Sequence, residues 1–302
     1  MRVFITGADG FIGRHVMDLL LSSGHEVLAS ALCERETSSG FKKASWIFGD
    51  ILDCSGNPGK IRRFNPDAMI HLAWQGIPDY GYEMSKKNID LAATAIKYVS
   101  DVTSCRKIVG IGSCWEYGRR KGECRETDAH YPDSYFSWAK NSINGYFKVR
   151  CKESNIDFKW MRIFYVYGPG QKEKSLIPSM IKSFSEGRMP EIRHPGNRND
   201  YVYVKDAAKA IVLALDKNSE DIIYNVGSGK SVPAYEIARI TAEKMGCQSI
   251  FKQWTPPECI ENEDFWANTQ LIQDKLGWSP KYSLDKGISE TIAYYKAGGN
   301  HR

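Results

Sequence analysis

Residues 1–16, MRVFITGADGFIGRHV, decide how this chain is read. The apolar run from Val3 to Ile5 feeds directly into Gly7, Gly10 and Gly13, and a helical pattern begins near Phe11. In a strand, glycine turn and helix of this kind the first glycine makes the tight turn, the second lets backbone approach a pyrophosphate, and the third lets helix pack on strand. The phosphates would sit on the amides that open the helix, where its dipole favours negative charge. Three glycines alone describe no more than a turn, so position matters. The next turn signal, Ser22 to Gly24, comes after about three helical turns, and residues 26–32 supply a second strand. A nucleotide cofactor is the implied ligand.

Outward from this unit, strand-like runs recur at residues 1–5, 26–31, 44–48, 68–71, 107–112 and 158–164, with helical patterns between most of them. That alternation predicts an α/β fold with a doubly wound parallel sheet. Helices are expected over 11–21, 82–100, 137–153, 176–186, 204–214, 234–245, 269–276 and 284–295. After Tyr167 the segment GlyProGlyGln at 168–171 breaks the alternation, and shorter elements with more turns follow. The expected division is a dinucleotide-binding domain from 1–167 plus about 200–226, and a smaller C-terminal α/β substrate domain from 168–199 plus 227–302. Such a module would close over the carboxyl ends of the strands, where ligands of doubly wound folds bind.

Composition narrows the function classes. A formal charge of +5 over 302 residues, without long basic runs, gives nucleic-acid binding little support. No apolar run approaches the roughly eighteen to twenty residues that cross a bilayer, and Met1 begins a strand rather than a charged and apolar leader, so a cytoplasmic protein without membrane association is expected. The 8 cysteines are scattered, with neither a CxxC pair nor a Cys/His spacing of the zinc type, which reads as reduced thiols and no metal site.

Further segments fall in one family's order. TGADGFIG at 6–13, GlyAspIle at 49–51, HisLeuAlaTrp at 71–74, Asn88, SCWEYG at 113–118, ArgIlePheTyrValTyrGlyProGly at 162–170, TyrAsnValGlySerGly at 224–229 and LeuGlyTrpSerPro at 276–280 span nearly the whole chain. The chain resembles the extended short-chain dehydrogenase/reductases, the NAD-dependent epimerase/dehydratase family that acts on nucleotide sugars. The resemblance implies a Rossmann domain in which Gly7, Gly10, Phe11, Ile12, Gly13, Asp50, Ile51, Leu72, Ala73, Trp74, Asn88 and Lys140 surround the cofactor. It implies a nucleotide-sugar substrate near Ser113, Cys114, Tyr165, Leu176, Ile177, Pro178 and Arg198. It also implies a homodimer built on helices 82–100 and 137–153, and a role in polysaccharide or glycoconjugate synthesis.

The family's proton chemistry uses a TyrxxxLys pair, the lysine depressing a phenol pKa that is near ten unperturbed. Aligned on Lys140, the tyrosine position holds Phe136, in SerTyrPheSerTrpAlaLys. Phenylalanine has no proton to give. Tyr135 is next door, but five residues along a helix place it about 140° from Lys140's direction. Three readings compete: an irregular turn after Pro132 brings Tyr135 into place; another group such as Cys114, Tyr80, Tyr82, a water or the substrate moves the proton; or the fold binds nucleotide without redox chemistry. Ser113, Lys140 and Tyr135 are the catalytic candidates. The usual Asp and Glu of 4,6-dehydratases are replaced by Cys114 and Trp115, with Glu116 one residue late, which disfavours that reaction and leaves a dehydratase only of unusual mechanism. An NAD(P)-dependent epimerase or reductase is the expected activity.

Cofactor choice turns on the end of the second strand, where an acidic residue would bond the ribose hydroxyls of NAD. Ser30, Ala31 and Leu32 stand there, and Arg14 and Arg35 are available to a 2′-phosphate, so NADP is preferred and NAD stays open. Lys172, Lys174, Arg193 and Arg198 are the candidate partners of a substrate diphosphate. Arg198 stands one residue before the usual place, and Tyr165 replaces a frequent Asn.

Overall fold

The computed structural model describes residues 1–34, 40–51, 57–118, 121–217, 222–254 and 264–299. Seven strands form one parallel sheet in the order β10-β7-β5-β4-β1-β2-β3. They are β1 Arg2–Thr6, β2 Glu26–Ala31, β3 Ser45–Phe48, β4 Ala68–His71, β5 Lys107–Ser113, β7 Asp157–Ile163 and β10 Ile222–Val226. A second, mixed sheet gathers β6 Lys121–Cys124, β8 Tyr165–Tyr167, β9 Arg198–Tyr203, β11 Ser231–Pro233 and β12 Asp264–Ala267.

The large sheet is covered on both faces, and the strand sequences show why. Val3 and Ile5 of β1, with Ala68 and Ile70 of β4, pack on α1 (Phe11–Ser22) and α6 (Val204–Asp216). Phe4 and Met69 face the other way, toward α2 (Asn57–Phe64), α3 (Tyr82–Val102) and α4 (Tyr135–Glu153). Strands buried on both sides must be apolar at successive positions, which is how β1 and β4 read. Gly110 and Gly112 of β5 are small for a further reason. A Cβ on Gly110 would lie 2.5 Å from the Trp160 ring of β7, so β5 makes room for the indole.

The smaller module packs α5 (Leu176–Ser185), α7 (Ala234–Met245) and α10 (Leu284–Lys296) on β8 and β9 through Ile177, Phe184, Ile237, Ile288 and Tyr203. The chain passes between the sheets more often than a division at residues 167, 200 and 226 allows. Strands β6, β8 and β9 all lie in the second sheet, while the return to the first is made by α6 and β10. Two shared anchors hold the crossings. Buried Asp200 of β9 accepts from Ser228 N and Oγ, both at 2.6 Å, and from Gly229 N and Ala267 N. Asn225 of β10 accepts from Tyr117 Oη and donates to the Cys124 carbonyl of β6. The 224–229 motif is thus a tie between sheets. In the 276–280 motif, Trp278 Nε1 donates to the Asp206 carbonyl of α6.

Two short helices escape the periodicity. Helix α2 begins AsnProGly, which reads as a turn, yet proline is tolerated in a first helical turn because its missing N–H has no partner there. Helix α8 (Gln248–Lys252) is too short to show a period, and α9 (Gln270–Leu276) falls where expected. No helix among the described residues is long and apolar enough to cross a membrane, and among them no group of three or more His, Cys, Asp or Glu could hold a metal.

Candidate active site

A cleft of about 650 Å³ opens at the carboxyl ends of β1, β2, β4 and β5. Gly10, Phe11, Ile12 and Gly13 line it, with Ser30 to Leu32, Ile51, Leu72, Ala73 and Trp74, then Ser113, Phe136 and Lys140 deeper in. Gly7 has φ +68°, and a Cβ there would lie 2.8 Å from Ala73 N, so only glycine brings the loop this close to β4. A Cβ on Gly13 would lie 2.8 Å from the Ala8 carbonyl oxygen and strike that of Gly7 as well. Gly10 caps α1 without a side-chain hydrogen bond, and no acidic residue occupies the first turn. The opening amides of α1 are therefore left to an anion. Uncapped amides and a cradle that a Cβ would fill are what a dinucleotide needs.

Lys140 is buried at the base of the cleft, 8% of its surface remaining exposed to it. Its Nζ donates to the Ile111 carbonyl at 2.8 Å and lies 4.3 Å from the centre of the Trp74 ring. Burial pushes its pKa down to about 8, with Glu116 pulling the other way. Phe136 stands one helical turn before it, edge-on to Trp74 at 4.8 Å, Tyr80 at 5.1 Å and Trp115 at 5.5 Å. Ser113 opens the 3₁₀ turn Cys114–Tyr117, accepting from Trp115 N and donating its own amide to Glu116 Oε1 at 2.8 Å.

Glu116 proves to be structural. It is buried entirely, paired with Arg162 Nε at 2.9 Å, and accepts from Trp160 Nε1 at 3.0 Å. Arg162 in turn meets His130 and the Glu126 carbonyl. No register change is needed to explain this carboxylate: it fixes the turn that presents Ser113. Its signal was the trio of Glu116, Trp160 and Arg162, which sequence spacing does not connect.

Several expected site residues stand elsewhere. Helix α4 starts at Tyr135 without irregularity, because the Ser134 and Ser137 hydroxyls cap it reciprocally. Tyr135 is 54% exposed and packs edge-on to Tyr82, outside the lining of the cleft, so no distorted turn carries it to Lys140. Cys114 is buried against Tyr117, Cys124, Phe164 and Phe265, and burial drives its thiol pKa well up. Asn88 spends its amide on Gln75 N, Gln75 O and Met84 O, holding the loop after β4 rather than lining the cleft. Asp50 pairs with Lys87 at 3.2 Å and also lies outside the lining. Arg14 turns to the Gly170 carbonyl, away from Ser30, and Arg35 lies outside the described residues.

A second cavity of about 900 Å³ shares one lining residue, Val166, with the first. Tyr165, Leu176 and Ile177 line it, together with Lys174, Lys182, Arg188, Arg193 and His194 and the carboxylates of Glu173 and Glu191; Lys182 pairs with Glu173, Arg188 with Glu186 and Arg193 with Glu191. Pro178 is buried in α5 behind this wall. Arg198 is not part of the lining; Asn199 and Tyr201 of the same strand face the cavity, and the alternation of side chains along β9 turns Arg198 to the Ser231 carbonyl at 3.1 Å and to within 3.6 Å of Asp264. Lys172 belongs to the first cleft, with Nζ 2.6 Å from the Ile77 carbonyl. Arg188 and His194, in the loop after α5, and Lys182, in the last turn of α5 itself, line this cavity without having been singled out in the sequence.

The model of the NAD dependent epimerase/dehydratase family matches residues 3–227. The chain belongs to that family. Among family members it is similar to a UDP-glucose 4-epimerase of Mycolicibacterium smegmatis, 25% identical over 313 residues that cover 98% of this chain and 99% of that protein. It is similar as well to a dTDP-4-dehydro-6-deoxyglucose reductase of Escherichia coli, 25% identical with 96% of each chain covered. Among solved structures, a UDP-glucose 4-epimerase of Thermotoga maritima with UDP-glucose superposes with TM-score 0.87 at 22% identity, covering 99% of both chains. A UDP-glucuronic acid 4-epimerase of Bacillus cereus in complex with NAD gives 0.84 at 22%, covering 98% of this chain and 99% of that one.

Proposed function

We propose that the chain is an NAD(P)-dependent epimerase or reductase of a nucleotide-activated sugar. The observation that carries this reading is the pair of adjoining cavities. One lies behind the glycine loop with Ser113 and Lys140 at its base, and the other is lined by Lys174, Lys182, Arg188 and Arg193, the last three of which a substrate diphosphate would have to draw from the surface carboxylates Glu173, Glu186 and Glu191. A substrate lying in the second cavity and reaching past Val166, which lines both, would bring its sugar end toward the cleft. When bound, a nicotinamide supplies the hydride acceptor or donor. The protein's part is to grip the pyrophosphate at α1, to enclose Lys140 away from water, and to offer the Ser113 hydroxyl near the sugar oxygen.

Ser30, Ala31 and Leu32 put no carboxylate at the end of β2 to repel a 2′-phosphate, but Arg14, turned to Gly170, lends NADP no support. We therefore propose either form, to be decided by parallel NADH and NADPH titrations. A homodimer is proposed on α3 and α4, where Tyr82, Tyr135, Trp138, Tyr146 and Val149 leave 37–59% of their surfaces exposed. Val149→Glu should then yield monomers by light scattering.

The enzyme reading is tested by incubating the protein with UDP-, GDP-, CDP- and dTDP-sugars and their 4-keto derivatives, with and without reduced cofactor. Products are followed by mass and NMR, and no change in any sugar would refute it for that panel. Phe136 motivates the rival, a cofactor-binding protein without redox chemistry, which predicts that null result together with retained dinucleotide binding.

A further inference from the structure

We propose that Lys140 itself exchanges the proton of the sugar hydroxyl in this chain, doing directly what a lysine usually does through a neighbouring phenol. The inference rests on the redox reading above.

Position 136 is closed to proton chemistry by a hydrocarbon ring packed against three other aromatics. The neighbouring candidates fall away on geometry. Tyr135 and Tyr82 pack on each other at the outer surface, and Cys114 faces the core of the second sheet. Tyr80 lies behind Phe136 and Trp115, and burial alone raises its phenol pKa, with no cation to oppose the rise. Of the other ionisable residues lining the cleft, Asp9 sits in the glycine loop and Lys172 lies at the mouth on the Ile77 carbonyl.

Lys140 is built differently from a lysine kept for its charge. Its hydrogen-bond acceptor is a backbone carbonyl, to which a neutral amine still donates, more weakly than an ammonium, and no carboxylate is bonded to Nζ to hold the charged form. The carboxylate that influences it, Glu116 of the 3₁₀ turn, is already committed to Arg162, Trp160 and the Ser113 amide. From β4, His71 is held neutral by burial, its pKa near 3, and bonds Thr6 of β1. The Trp74 and Phe136 rings favour the cation weakly. Burial outweighs these influences and leaves the amine and ammonium forms close in energy near neutral pH. A group of that kind suits proton transfer in either direction.

In the oxidising direction the carbinol C–H bond breaks and its hydrogen leaves with the electron pair to the oxidised nicotinamide. The O–H bond gives its proton to the free pair on Nζ, leaving a ketone and an ammonium. Reduction returns both by the reverse path. Nothing further is consumed.

Three measurements test this together. Competitive amine labelling of the cofactor-free protein across pH, read by mass spectrometry, should show Lys140 titrating near 8, below the surface lysines. Lys140→Arg keeps a cation that cannot deprotonate, and should cut kcat/KM by at least about 100-fold while dinucleotide affinity changes by less than about tenfold. Adding Phe136→Tyr to that variant restores a phenol and should recover at least about tenfold of the lost turnover. A lysine that only positions cofactor would give no such rescue. Ordinary titration of Lys140, full activity in Lys140→Arg, or failure of the rescue would each overturn the assignment. If the unaltered protein turns over no sugar, the redox reading falls and this role falls with it; labelling near 8 would then mark the lysine as perturbed without employment.

Discussion

Replacing Lys140 by Met should stabilise the protein at neutral pH, by an amount that disappears as the solution becomes alkaline. Burial lowers this group from its ordinary 10.5 to about 8. Because each pKa unit corresponds to about 1.4 kcal/mol, holding the ammonium inside costs about 3 kcal/mol wherever both states are charged. The sign follows from proton counting. Below pH 8 folded and unfolded chains are both protonated and the cost is complete. Between pH 8 and 10.5 the unfolded chain holds more protons, so stability rises with pH and the cost fades. Against this, methionine forfeits the bond to the Ile111 carbonyl, worth about 1 kcal/mol. The net gain at neutral pH is about 2 kcal/mol, turning to a slight loss above the ordinary lysine range. Urea unfolding of both proteins across the two pKa values measures the difference directly. A difference that stays constant with pH would show that Lys140 is not desolvated as described, and the reasoning about its proton would fail with it.

Glu116→Gln should cost about 3–5 kcal/mol, since Arg162 would remain buried without its counterion; denaturant midpoints within error of the parent would refute the network. For Gly13→Ala, whose added methyl meets the Ala8 and Gly7 carbonyls, dinucleotide affinity should fall at least about tenfold in calorimetric titration. Asn88→Ala frees the Gln75 amide and should destabilise the fold by about 1–3 kcal/mol while also weakening cofactor binding, because Leu72 to Trp74 lose their support. Unchanged binding in that variant would separate the loop from the cleft.

The elements that carry local chemistry were legible in the sequence. The glycine loop and the strands buried on both faces announce themselves because period, turn residues and burial agree over short distances, whereas the segments Leu72 to Trp74 and Leu176 to Ile177 stood out only through the family resemblance. What stayed hidden was set by contacts far apart in the chain. Glu116 gains its meaning only beside Trp160 and Arg162, more than forty residues on. Asp200 explains the glycine motif at 227–229 only once β9 is seen against that turn. Strands of three or four residues such as β6, β8 and β11 are too brief for period-two alternation to register, so the second sheet was legible as a change of texture after Tyr167 and not as strands. Helix α4 shows the opposite case: the position of Phe136 relative to Lys140 is local, and its reading from helical spacing needs only the Ser134 cap to be complete.

The seam at residues 168–171 has a consequence for exchanging parts between relatives. Arg14 and His15, one turn into α1, hold the Gly170 and Pro169 carbonyls, and Tyr295 of α10 holds that of Gln171 at 2.6 Å. The connector is thus clamped by the first helix and by the last, both of them far from it in sequence. A chimera that imports a foreign substrate module with a cut placed in this connector would divide the clamp, leaving its two jaws from different parents. Donors should therefore be matched at positions 14, 15 and 295 before they are matched for the sugar they accept.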